Sequence, residues 1–160
     1  MKYLAIILIL VAIAGIGFLV YLSLAATRGM AVDLYYYNQS ADFQEGGGVG
    51  CSPDAVLPVS RMMRRSNEPI KDTIGLLLKG ELTEEEIDRG FSTEFPGEGF
   101  ALAEARKEDG LLVLRFEDPN NFTTGGSCRV RILWAQIEKT AKQFPGVSEV
   151  RFEPEWLFQP

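Results

Sequence analysis

Apolar and polar positions alternate with two different periods along this chain, and the clearest run is helical. From Val130 to Phe144, Val130, Leu133, Trp134, Ile137, Ala141 and Phe144 recur at steps of three and four. That spacing puts them on one face of a helix, with Arg131, Glu138, Lys139 and Lys142 mostly elsewhere. Gly125 and Gly126 allow a sharp turn before it, and Ser127 reads as the N-cap. Pro145 lacks an N–H and Gly146 accepts a left-handed backbone, so the helix stops there. One greasy face needs a sheet or a second helix to cover it.

Upstream the pattern has period two. Val32 to Asn38 predicts a strand, with Val32, Leu34 and Tyr36 on one face and Asp33, Tyr35 and Tyr37 on the other. Gln39 to Pro53 is a polar, glycine-rich loop with no phosphate-loop Lys-Ser/Thr after its glycines. Val56 to Arg65 predicts a second strand, and Pro58 favours an edge position. Pro69 opens a helix capped by Asn67 or Glu68 and closed at Gly80, with Ile70, Thr73, Ile74, Leu77 and Leu78 inward. Thr83 and Glu86 form a capping box for a short acidic helix ending near Arg89. Glutamates in a first turn suit the helix dipole, so this cluster needs no catalytic reading. Phe95-Pro96-Gly97 is a turn. Phe100 to Arg106 and Leu111 to Glu117 are strands joined at Asp109-Gly110, a hairpin signal. Glu149 to Glu155 is a last short strand, and Trp156 to Pro160 an apolar tail. The expected architecture is an α+β domain over residues 32–160: a mostly antiparallel sheet with helices packed on one face.

Ahead of it lies a different kind of segment. Tyr3 to Ala26 is 24 residues without a charge. As a helix it would be roughly 36 Å long, against a hydrocarbon core of about 30 Å, so it predicts one N-terminal transmembrane helix. Lys2 and the terminal amine favour the amino end inside the cytoplasm and the domain outside. The alternative is a signal peptide cut near Ala25, before Ala26, but a signal h-region is about 7–15 residues, which favours the anchor. Residues 27–31 are then a short connector holding the domain close to the bilayer.

Charge and composition narrow the function. The chain has 160 residues, enough for one domain after the anchor. Net charge is −6; past Lys2 there remain 15 basic and 22 acidic residues, or −7. That balance argues against nucleic acid as a partner. The absence of histidine excludes Ser–His and Cys–His nucleophile pairs and most zinc sites. Two cysteines, Cys51 and Cys128, are too few for a four-thiolate site. Outside the cytoplasm they pair or stay free with equal plausibility. A bond between them would close a loop of about 77 residues, worth about 3–5 kcal/mol. No metal or cofactor is expected, and no small-molecule substrate.

The helix IKDTIGLLLKG, the turn TEFPGEG, the hairpin ending EDGLLVLRF, the GGS helix start and the run AQIEKTAKQFPGVSEVRF together resemble a known family. It is the GerMN domain of bacterial sporulation and spore-germination proteins. Val59-Ser60-Arg61 fits its V-x-R pattern as well. The resemblance covers Pro69 to Phe152, most of the domain; the tail is peculiar to this chain. It implies an exported, non-enzymatic α+β module, like relatives in membrane-anchored or lipoprotein envelope proteins, with a fold similar to small ring-building domains. It carries no catalytic residues.

The leading expectation is therefore an envelope interaction module that binds a protein partner or its own copies. The candidate contacts are Tyr35, Tyr37, Arg61, Arg64, Arg65 and Trp156, with Leu157 and Phe158 beside it in the tail. The alternatives are passive binding of wall glycan, and a wall-polymer hydrolase using two of Glu94, Glu98, Glu104 and Asp118. Nothing in the spacing of those carboxylates selects a pair.

Overall fold

A computed structural model of the chain describes residues 13–18, 29–43 and 50–159. Residues 13–18 are helical and exposed. Among the described residues no helix is long and apolar enough to cross a membrane. Most of the predicted span over 3–26 lies outside the described residues, as does the glycine run Gly46–Gly48.

The domain is α+β. Its elements are β1 (Met30–Asn38), β2 (Val56–Met63), α1 (Pro69–Leu78), α2 (Glu84–Asp88), β3 (Phe91–Ser92), β4 (Ala101–Glu108), β5 (Leu111–Glu117), α3 (Ser127–Lys142) and β6 (Glu149–Glu153). The expectation of one sheet is corrected to two. Strands run β2-β1-β3 in the first and β4-β5-β6 in the second. Every pairing is antiparallel except β5 with β6, which is parallel. Helices α1 and α3 touch each other and both sheets, rather than coating one face.

The reason for two sheets is visible at β1. Over most of its length β1 has β2 on one side, while the short β3 reaches only Tyr37 and Asn38 on the other. Helix α3 supplies the missing partner. Gln143 accepts from the Asp33 N–H at 2.8 Å and donates to the Asp33 carbonyl at 2.7 Å. Thr140 Oγ1 accepts from the Tyr35 N–H at 3.0 Å. An amide side chain offers the same donor–acceptor pair as a backbone, so α3 satisfies the edge where a joining strand would lie.

Local chemistry explains the boundaries. Thr83 and Glu86 close both halves of the capping box of α2. The β4–β5 hairpin turns at Asp109 and Gly110, both with positive φ, 47° and 89°, as a tight two-residue turn requires. Helix α3 starts one residue earlier than expected: Gly126, extended at ψ 151°, is the N-cap in place of Ser127, which is the first helical residue, and no side chain makes a capping bond. Strand β1 begins at Met30, inside the expected connector, because Met30 and Ala31 already pair with Met63 and Met62.

The core runs between the sheets and the two long helices. Val32, Leu34 and Tyr36 meet Ile74 and Leu77 of α1, Leu133 and Ile137 of α3, and Leu112, Leu114 and Phe152 of the second sheet. The expected apolar tail is part of that core. Leu157 and Phe158 are buried, and Phe158 packs on Phe152 and Trp134 with ring centroids 5.0 and 5.8 Å apart. Phe95 joins it too, stacked on Phe100 at 6.2 Å. The turn that carries Phe95 passes so close to Gly80 that a side chain there would strike the Phe95 carbonyl.

Candidate functional site

A groove of about 690 Å³ lies between α1 and the start of β4. Its floor is apolar: Met63, Leu76, Leu78, Phe100 and Leu102. Its rim is basic. Arg64 and Arg65 come from the segment leaving β2, Lys71 from α1 and Lys79 from its C-cap, with Asp72 the one carboxylate among the lining residues. Strand β4 borders the groove and is an edge strand of its sheet.

Two features show why the groove is open. Gly75 sits in the middle of α1, where a side chain would meet nothing within 4 Å. Glycine inside a helix costs about 1 kcal/mol against alanine, and here it leaves the floor bare. The four cations are also free of carboxylates: none makes an ion pair among the described residues. The second sheet is different. Glu104 lies 3.2 Å from Arg106 and 2.9 Å from Arg115, and Arg106 reaches Glu153 at 3.3 Å. Charge there is spent internally, whereas the groove offers its charge outward.

The structure separates the residues singled out in the sequence. Arg64 and Arg65 meet at the groove. Arg61 is held by Glu86: their hydrogen bonds raise the pKa of the guanidinium and hold the Glu86 carboxyl below the usual carboxylate range. Tyr35 is half-buried beside Ile132. Tyr37 is not an exposed contact: it is 8% exposed, and its hydroxyl donates to Asp42 at 2.5 Å. Burial first and Asp42 second push its pKa up to about 12. Trp156 stays 46% exposed although its neighbours Leu157 and Phe158 turn inward. The pattern missed Lys71 and Lys79 as rim residues; the glycine inside an otherwise regular helix was the available signal.

Of the four carboxylates considered for wall hydrolysis, Glu98 is exposed and only its backbone carbonyl is engaged, by Asn120, while the other three have side-chain partners. Glu94 pairs with Arg129 and Glu104 with two arginines. Asp118 is buried and accepts from the Phe122 N–H, the Thr123 N–H and the Thr123 hydroxyl at 2.7–3.0 Å. Cys51 and Cys128 are joined as a disulfide. Among the described residues no group of His, Cys, Asp or Glu could hold a metal ion.

A family model described as "Germane: Sporulation and spore germination" matches residues 33–155. The chain belongs to the Germane family. Among solved structures, the tandem GerMN domains of the sporulation protein GerM from Bacillus subtilis are similar in fold, with a TM-score of 0.56 and 19% identity. That match covers 81% of this chain and 40% of the tandem structure, so the Germane domain described here spans well under half of it. The first GerMN domain of the same protein matches with a TM-score of 0.54 and 18% identity, over 77% of this chain and 80% of that one. No curated protein matches. The family is related to sporulation and germination and is not known as catalytic.

Proposed function

We propose that this Germane domain is a non-catalytic interaction module of the bacterial cell envelope, anchored in the cytoplasmic membrane by residues 3–26 and facing out of the cytoplasm. The carrying observation is the groove beside α1: four unpaired cations around an apolar floor on a chain of net charge −6. A surface of that kind selects an acidic segment with apolar side chains, since opposite charge steers the encounter and the floor supplies burial. The occupant is an acidic stretch of a second envelope protein, laid along the exposed edge of β4. The family's link to sporulation and germination makes those processes the setting in which such a partner acts.

The test is photocrosslinking in cells from a photoreactive residue at Lys71 of the full-length chain, with the adduct read by mass spectrometry. The expected product joins Lys71 to an acidic peptide of one protein, and is lost when Arg64 and Arg65 are both changed to Glu. Adducts only to glycan, or adducts indifferent to that charge reversal, would overturn the proposal.

A further inference from the structure

The chain enters the domain at one end of the first sheet. Gly29 precedes β1, and a side chain there would lie 3.0 Å from both the Met62 methyl carbon and the Met63 carbonyl. Met30 of β1 and Met63 of β2 face each other as the outermost pair of the two strands. Met62 is 71% exposed, although its neighbour Met63 belongs to the core. Arg64 and Arg65 follow, both exposed, and neither makes an ion pair among the described residues.

Chain length limits how far this end can stand from a bilayer. The anchor proposed above ends at Ala26, and only Thr27 and Arg28 separate it from Gly29. Three steps of fully extended chain reach about 10 Å. The headgroup layer on each side of the hydrocarbon core is itself about 5–8 Å thick. Met62, packed against Gly29, is therefore held within a side chain's reach of the headgroups.

Charge and chemistry decide what this end meets there. The chain is acidic overall, with a net charge of −6, so the body of the domain gains nothing from an anionic surface. Salt limits attraction to about 8 Å, so it falls on the tethered end, where Arg64 and Arg65 stand. The acids nearest in β1, β2 and the loop after them are Asp33, which accepts from the Ser60 hydroxyl at 2.6 Å, and the exposed Glu68. A flexible, apolar thioether suits the boundary between headgroups and acyl chains, while arginines beside it stay at the level of the phosphates.

We propose that this end of the domain docks on its own anchoring membrane. Met62 enters the interface, and Arg64 and Arg65 bind the phosphates of an anionic phospholipid. The inference rests on the anchor reading above. The same arginines border the groove, so docking sets the groove beside the bilayer and leaves Lys71 and Lys79 to its occupant.

Methyl NMR of the full-length chain in lipid nanodiscs tests this. Methionine and valine methyls are labelled, and a trace of lipid carries gadolinium on its headgroup. Discs of phosphatidylcholine alone are compared with discs that also contain phosphatidylglycerol. Val56 is the reference, because it starts β2 at the opposite end, about 20 Å from Met62. The expected result is a Met62 methyl broadened far more than Val56, and more strongly with phosphatidylglycerol. Arg64→Gln with Arg65→Gln is expected to lower the ratio of docked to undocked domain about fivefold for each charge removed, with circular dichroism unchanged because both side chains are exposed. A chain that does not co-elute with the discs overturns the anchor reading and this inference with it. A chain that co-elutes while Met62 is broadened no more than Val56 overturns the docking alone and leaves this end open to a protein partner. Broadening indifferent to phosphatidylglycerol and to both arginines overturns it as well, since the tether alone would then hold Met62 near the lipid.

Discussion

Arg61 and Glu86 meet in a two-pronged contact, each terminal guanidinium nitrogen 2.6 Å from a different carboxylate oxygen. The same carboxylate accepts from the Thr83 N–H at 2.9 Å and so completes the cap of α2. Arg61 also donates to the Glu81 carbonyl at 3.0 Å. One side chain of β2 thus fixes both the start of α2 and the segment before it. The fork geometry of guanidinium and carboxylate makes this stronger than a single-point ion pair.

Stability should therefore depend on pH through Glu86. Its folded pKa lies below the ordinary 4.5, chiefly through the Arg61 hydrogen bonds. A depressed carboxylate stabilises the fold fully above its unfolded pKa, and that contribution is lost as pH falls through the folded value. Urea unfolding from about pH 6 to about pH 3 should show the midpoint falling below pH 4.5. Glu86→Gln should lower stability near neutrality by about 1–3 kcal/mol and flatten the acid limb. An unchanged acid limb in that variant would assign the fall to other carboxylates.

The clamp of α3 on β1 makes a separate prediction. Gln143→Ala removes a donor and an acceptor from Asp33, which should cost about 1–3 kcal/mol. The Asp33 amide should then exchange its hydrogen faster, while Tyr35, held by Thr140, should be affected less. Gln143→Glu keeps an acceptor but turns a carboxylate oxygen toward the Asp33 and Thr140 carbonyls, so it should not restore the protection that Gln143 gives. Equal exchange at Asp33 in all three proteins would show that the edge does not depend on this side chain.

What could be read from the sequence was local, and what could not was the meeting of distant segments. The capping box at Thr83, the stop at Gly80 and the Asp109-Gly110 turn each depend on neighbours a few residues apart, and the structure has them all. The inward faces of β1, β5 and α3 followed from periodicity. The split into two sheets did not, because it rests on Gln143 and Asp33, 110 residues apart. Gln143 falls just past the amphipathic face and reads as an ordinary polar residue. Strand β3 has two residues, too few for any alternation to register. The groove was half legible: Arg64 and Arg65 stand together in the chain, but Lys71, Lys79 and Gly75 join them only when α1 is laid beside β4.

Gly75 links stability and function in one position. Gly75→Ala should stabilise the domain by up to about 1 kcal/mol, since the added methyl meets nothing. Gly75→Trp should fold as well, but fill the groove and remove the crosslink expected from Lys71. Thermal unfolding of both variants separates the effects. A Gly75→Trp protein that folds and still crosslinks to the acidic partner would place the docking site elsewhere.

The disulfide should matter most to the entry of α3. It joins Cys51, beside the short 3-10 turn Pro53–Ala55, to the second residue of α3. The same region is tied by Asp42, which accepts from Tyr37 and from the Ser52 N–H. Reduction, or Cys128→Ser with Cys51→Ser, should lower stability by about 3–5 kcal/mol for a closed loop of this length. Thiol labelling of the unfolded, unreduced protein should find no reactive cysteine. Two reactive thiols would show that the bond does not form in solution.

The tail makes the sharpest division between neighbours. Leu157 is 1% exposed and Phe158 4%, while Trp156 between them and β6 is 46% exposed. Phe158 reaches the cluster of Phe100, Phe152 and Trp134 only by taking a left-handed φ of 57°. That conformation is unfavourable for a bulky residue, so the packing of its ring must outweigh it. Leu157→Ala should cost about 2–5 kcal/mol and Phe158→Ala about 3–5 kcal/mol. Trp156→Ala should change stability by less than about 1 kcal/mol, as substitutions of exposed side chains do. Urea denaturation of the three variants decides the matter. Comparable small losses at all three positions would mean that the tail frays in solution and that Phe152 and Trp134 are covered by something else. Large losses at 157 and 158 alone would make these residues part of the domain core, although the family match ends at 155.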